Sequence, residues 1–211
     1  MQKWQKKGKI LKASEMLDTK HRLWVELYVM SGCRRGEIVG LKWNRVCFDQ
    51  SCIFIDLEVV YTGEYGIQLS SPKSKAGERM IVLPKSTMEL LKRYYDDYVK
   101  KLCIDESTWD RNDFLFFQTE KLPEIFPMNP TSLTHYFSEF SKKYALPHLN
   151  PHALRHSYAS VLIQSNELSD LELAKTLGHS SPSVTEEIYG HLFKDPSSKA
   201  ASVVTGAYKK E

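Results

Sequence analysis

The residues that could do chemistry lie mostly in the last third of the chain. Tyr189, in Ile188-Tyr189-Gly190-His191, follows ten residues after His179, in Leu177-Gly178-His179-Ser180-Ser181-Pro182. Upstream is His152-Ala153-Leu154-Arg155-His156, and far earlier Gly32-Cys33-Arg34-Arg35-Gly36-Glu37. A phenol is a poor nucleophile at its ordinary pKa, and a cationic field or a base helps it ionise. Arginines and imidazoles supply both, and guanidinium groups bind phosphoryl oxygens. The set therefore suits covalent attack on a phosphodiester.

Taken singly, each member has a blander reading. His152 and Arg155 share a helix face at a spacing of three, which is more often a surface pair than a site. In their favour, they fall in the first turn of a helix, where free N–H groups attract anions. A tyrosine at the end of a short helix is usually a half-buried ring with a hydrogen-bonded hydroxyl. Arg34 and Arg35 beside Glu37 would most often form a solvated pair, and His179 would be an incidental loop histidine. His152, His156, His179 and His191 are not read as zinc ligands, because no cysteine pairing and no carboxylate accompanies them at ligand spacing.

The elements that must position these residues are legible in outline. Met16, Leu17, Leu23, Trp24, Leu27, Tyr28 and Val29 predict helices with one buried face over about 14–31, stopped by Gly32. A short helix follows with Ile38, Val39 and Leu41 inward. The period then changes. The stretch 52–59 is β-rich, Gly63–Gly66 marks a turn, and 67–69 and 80–83 predict two more strands. Residues 72–79, with Lys73, Lys75 and Arg79, read as a polar hairpin tip between the last two. Helical pattern returns over 86–103, and 104–129 reads mostly as loop with a short strand at 114–117. A helix is expected at 130–145. Asn150-Pro151 is an N-cap followed by proline at the first helical position, opening a helix to about Gln164. Ser169-x-x-Glu172 is a capping box for a helix ending at Gly178, and Ser181-Pro182 starts another ending near Gly190.

Composition sets wider bounds. At 211 residues, 42% hydrophobic and 26% charged, the chain fits one globular domain with a sizeable core. A net charge of +3 permits a polyanionic partner without requiring one. No run of about 18 apolar residues predicts a membrane span, and the basic start Met1–Lys7 has no apolar segment of a secretory signal. Cys33, Cys47, Cys52 and Cys103 show no C-x-x-C spacing and are expected to be reduced thiols in a cytoplasmic protein.

The order of the motifs along the chain is more specific than any one of them. Gly32–Ile38, then Lys73 within Pro72–Arg79, then His152–Ser157, then Leu177–Ser181, then Tyr189 closely resembles the catalytic domain of the tyrosine recombinase (phage integrase) family. The resemblance covers about residues 14–193. It implies an α+β, mainly helical domain with a small three-stranded antiparallel sheet. It implies that Tyr189 attacks a scissile phosphate, leaving a 3′-phosphotyrosyl bond and a free 5′-hydroxyl. Arg34 and Arg155 would clamp the non-bridging oxygens. Arg34 is preferred to Arg35 because it follows the G-x pair and stands three before Glu37, which would orient the arginines. Lys73, preferred to Lys75, would protonate the leaving oxygen. His152 would help accept the tyrosyl proton, and His179 would hydrogen-bond the phosphate. No cofactor is implied, because one phosphodiester is exchanged for a bond of similar energy.

The implied partners are duplex DNA, other protomers in a tetramer on DNA, and accessory DNA-bending proteins, with no membrane. Residues 1–13 read as a basic tail or linker remnant, 14–193 as the catalytic domain, and 194–211 as a C-terminal tail or helix exchanged between protomers or folded back. The family usually carries an N-terminal DNA-gripping domain, so a fragment or a short member is expected. An integrase of a phage or conjugative element is favoured. The rivals are a type IB topoisomerase-like enzyme, a non-catalytic DNA-binding module of the same fold, and a metal phosphoesterase.

Overall fold

The computed structural model describes residues 3–72 and 75–192. The helix α2 (Thr19–Ser31) is the centre of the fold. Leu23 to Val29 are buried in succession, so this helix is covered on all sides rather than presenting one stripe. Asp18 starts it by accepting from the His21 N–H, and Gly32 stops it in the left-handed region. The helices α4 (Lys85–Leu102) and α6 (Pro151–Ser165) pack on it. In α4 the buried Met88, Leu91, Tyr94, Tyr95 and Tyr98 recur at helical spacing. Tyr95 and Tyr98 pack against Trp43 and Trp109, so aromatic rings fill much of this side of the core.

The stretch expected to be a basic tail is helical. The helix α1 (Lys3–Ser14) packs on α2 and buries Ile10 and Ser14. Apolar contact on one side outweighs the solvation of its lysines.

The sheet differs from expectation in its pairing. The strands β1 (Val46–Cys47), β2 (Cys52–Ile55) and β5 (Arg79–Val82) form one antiparallel sheet, with β2 in the middle. The strands β3 (Glu58–Thr62) and β4 (Gly66–Ser70) form a separate hairpin. The run 52–59 breaks at Asp56-Leu57, where Asp56 accepts from Arg45 Nε. The strands β4 and β5 are therefore not paired with each other, and β5 returns to β2. Burial explains the choice. Ile53 faces Ile81 across the β2–β5 pair and both are buried, whereas Leu69 on β4 is exposed.

The loop 104–129 has little regular structure, yet Phe114, Leu115, Phe116 and Phe117 are all buried. Single bridges, Lys42 to Phe114 and Phe117 to Pro127, tie them to neighbours, with hydrogen bonds from the Leu115 N–H to the Leu41 carbonyl and from the Met128 N–H to the Phe116 carbonyl. The expected strand at 114–117 is thus an extended core segment. The remaining helices follow their caps: α3 (Arg35–Gly40), α5 (Pro130–Lys143), α7 (Asp170–Leu177) and α8 (Pro182–Tyr189). Asn150 accepts from the Ala153 N–H at the start of α6, and Ser169 and Glu172 make the reciprocal capping box of α7. No helix among the described residues is long and apolar enough to cross a membrane. The expected C-terminal segment, 194–211, lies outside the described residues, as does Lys73.

Candidate active site

Two helix ends and one helix start meet at the site. Gly32 closes α2 with φ +62° and Gly178 closes α7 with φ +67°, conformations that glycine adopts without steric cost. The last carbonyls of a helix have no partner within it and carry its negative dipole end. Here they bind guanidinium groups. Arg155 on α6 donates from Nη1 to the Gly32 carbonyl at 2.8 Å and from Nη2 to the Leu177 carbonyl. Arg34, just before α3, donates from Nη2 to the Gly178 carbonyl at 3.1 Å. Arg155 is thus aimed by backbone carbonyls and Arg34 by a backbone carbonyl together with Glu37, and each keeps further N–H donors for a ligand.

Gly178 is held tightly enough to test. A Cβ there would lie 2.6 Å from Arg79 Nη1, and that guanidinium is pinned by Glu37 and by the Gly77 and Thr176 carbonyls. Gly178→Ala is expected to cost roughly 1–3 kcal/mol, from the positive φ and the clash together. Urea unfolding measures it, and an unchanged midpoint would show that the α7 terminus is not constrained in this way.

One carboxylate balances the cations. Glu37 is 2% exposed. It accepts from Arg34 Nη1 at 2.8 Å, Arg79 Nη2 at 2.9 Å and the Arg34 backbone N–H at 2.7 Å. Burial works to raise its pKa, but the hydrogen bond and charge of Arg79 and then those of Arg34 win, bringing it down to about 2. Arg155 carries no carboxylate of its own among these bonds. Burial and the neighbouring Arg34 lower its pKa.

Tyr189 ends α8 and is 2% exposed, packed with Ala159, Ile163, Leu173 and Leu177 in a small core beside the main one. Burial raises the pKa of the phenol, while Arg155 and Arg34 pull it down. The ring of His179 lies nearly parallel to it at 6.4 Å, and that of His156 lies edge-on at 5.1 Å. His179 Nδ1 is 2.8 Å from the Thr185 hydroxyl. His152 is exposed, and its Nε2 is 2.7 Å from Nε2 of His156, whose ring also meets Tyr189.

Arg34, His152, Arg155, His179 and Tyr189 line one cleft of about 710 Å³, whose far wall includes Tyr61 of the β3–β4 hairpin. Five of the six residues predicted from sequence therefore meet, and the sixth, Lys73, is outside the described residues. Arg35 lines the same cleft and donates from Nη1 to the Thr134 hydroxyl at 3.0 Å. Sequence reasoning missed Arg79, placed in a solvated hairpin, and Thr185. A period-two reading of β5 finds Arg79, because it shares the inward face of Ile81.

His179 gives the site a measurable pH dependence. Burial, then Arg155, Arg34 and Arg79, lower its pKa to about 4. The unfolded imidazole takes a proton below about 6.5, whereas the folded one stays neutral to about 4. The unfolded state therefore binds more protons in that window, and stability falls as pH drops through it, by about 2–3 kcal/mol in all. Denaturant titrations of wild type and His179→Gln across pH 4–7 should differ by this slope, and parallel curves would exclude it.

A mostly helical domain with a buried tyrosine, two backbone-anchored arginines and a neutral histidine has the fold of tyrosine recombinase catalytic domains. It superimposes on the integrase of transposon Tn1549, solved in complex with circular intermediate DNA, with a TM-score of 0.74 at 20% identity, covering 97% of this chain and 66% of that one. On the XerA recombinase the TM-score is 0.65 at 21% identity, covering 95% and 63%. The profile of the phage integrase family matches residues 5–195, and the chain belongs to that family. It is 23% identical over 171 residues to the transposase from transposon Tn916 of Enterococcus faecalis, aligning 80% of this chain and 42% of that one. It is 26% identical over 182 residues to the ICEBs1 integrase of Bacillus subtilis (strain 168), aligning 82% and 45%. The chain thus spans less than half the length of these two relatives.

Proposed function

We propose that this chain is the catalytic unit of a site-specific DNA recombinase of a phage or conjugative mobile element. The observation that carries the reading is the convergence of Arg34, Arg155, His179 and Tyr189 on one cleft, with both guanidinium groups fixed by helix-end carbonyls before any ligand arrives. Donors held in place in this way stabilise charge that develops on a phosphoryl group without reorganising, an effect worth roughly 10²–10³ in rate per donor.

In this reading a scissile phosphate sits between the arginines. The Tyr189 oxygen attacks phosphorus, the bond to the 5′-oxygen breaks, and a 3′-phosphotyrosyl bond forms. Burial disfavours the free phenolate, so the proton must leave as attack proceeds. The His152–His156 pair takes it, with His156 nearest the phenol ring. Lys73 protonates the leaving oxygen. Residues 14–193 form the catalytic domain, to which α1 is joined. The partners are duplex DNA in the cytoplasm, further protomers in a tetramer, and accessory DNA-bending proteins.

The test is a nicked duplex carrying candidate attachment sites, incubated with the protein and EDTA and resolved in SDS. An SDS-resistant protein–DNA adduct supports the reading. No adduct with a pooled library of sites counts against it, and relaxation of supercoils without site preference would move it to a type IB topoisomerase.

A further inference from the structure

We infer that Thr185 is a positioning residue: its hydroxyl donates to Nδ1 of His179 and so fixes the imidazole proton on Nε2, the atom left to meet a phosphate. The inference rests on the function proposed above and names how one of its residues is made a donor.

Thr185 is fully buried on α8, with its oxygen 2.8 Å from Nδ1 of His179. A buried hydroxyl proton needs an acceptor. Helical serines and threonines commonly find one in the carbonyl four residues back, as Ser157, Ser160 and Thr176 do here. Thr185 does not; among the described residues its hydroxyl makes no hydrogen bond except to His179. The proton therefore points at Nδ1, which must be the bare, accepting nitrogen. The neutral ring then carries its own proton on Nε2.

This matters because the ring cannot gain donor capacity by charging. Burial opposes an imidazolium, and the charges of Arg155, Arg34 and Arg79 oppose it further. A neutral histidine in the other tautomer would present a lone pair to a phosphate oxygen, which is repulsive. Thr185 thus decides whether His179 adds a donor to the two arginines or subtracts one. Threonine at this place also shares a helix face with Tyr189, four residues on, so the same turn of α8 seats the histidine and the phenol.

The full chain labelled with ¹⁵N answers the question directly, with His179 assigned by comparison with His179→Gln. Wild type is expected to show a protonated Nε2 and a bare, hydrogen-bonded Nδ1 at neutral pH. In Thr185→Val the Nδ1 resonance should move to that of an unbonded nitrogen or of the other tautomer. Adduct formation should slow about 10- to 100-fold, the range known for hydrogen-bond partners of metal-bound histidines. Thr185→Ser should restore both. A protonated Nδ1 in wild type overturns the inference, as does an unmoved resonance or an unslowed adduct in Thr185→Val. If wild type forms no adduct on any duplex, the recombinase reading fails instead, and the nitrogen spectrum still decides the tautomer.

Discussion

Tyr189→Phe should form no covalent adduct with DNA while folding as wild type does. The phenol oxygen is the nucleophile in the proposed reaction, and phenylalanine offers no group in its place. Loss of the group that makes the covalent bond is expected to cost on the order of 10⁴-fold or more in cleavage. The fold should be spared, because phenylalanine keeps the ring that packs against Ala159, Ile163, Leu173 and Leu177 and lies between His156 and His179. A stability change within about 1 kcal/mol, measured by urea unfolding, would separate the chemical loss from a packing loss. An adduct retained in Tyr189→Phe would place the nucleophile elsewhere and remove the central assignment. Gel-shift on the same duplex should show binding by both proteins.

Glu37→Gln should do the reverse and damage the fold first. Glu37 is the carboxylate against which Arg34 and Arg79 are paired, and its charge also acts on Arg155. Removing one partner of a buried ion pair leaves charge uncompensated and typically costs 3–5 kcal/mol. For a chain of this length that is a fall in Tm of roughly 6–20 °C. The pH dependence sharpens the test. The folded carboxyl ionises at about 2 and the unfolded one at about 4.5, so the folded state holds fewer protons between these values. Its contribution is complete above about 4.5 and disappears as pH falls toward 2. The gap between wild type and Glu37→Gln should therefore be wide at pH 7 and close progressively in acid. Equal melting at pH 7 would show that the arginines are balanced in some other way. The exposed pair Lys142–Glu139 serves as a control, since its loss should leave melting unchanged.

What the sequence made legible was local or ordered. The caps at Asn150, Ser169 and Gly178 were readable because each is decided within four residues of chain. The site residues were readable from the order of their motifs rather than from any single spacing. Arg79 was not, because its role depends on Glu37, 42 residues away, and on a strand pairing that skips the β3–β4 hairpin. Turn chemistry gave the positions of the strands, but their partners were settled by which side chains the core could accept. The same holds for α1, whose lysines suggest solvent while Ile10 joins the core. Within loop 104–129 the run 114–117 was marked as a short strand but not as buried core, since a core segment without regular pairing has no period to detect.

The segment 170–189 is in effect a removable part. It supplies the phenol, the imidazole and its threonine, and also the Leu177 and Gly178 carbonyls that hold Arg155 and Arg34. Lifting it away by about the length of one hydrogen bond would strip the nucleophile and leave each guanidinium group on its one remaining anchor, Arg155 on the Gly32 carbonyl and Arg34 on Glu37. The cations would then stand without the phenol they serve. Packing changes where this segment meets α6, at Ala159, Ile163 or Leu173, would therefore stop the chemistry from outside the cleft.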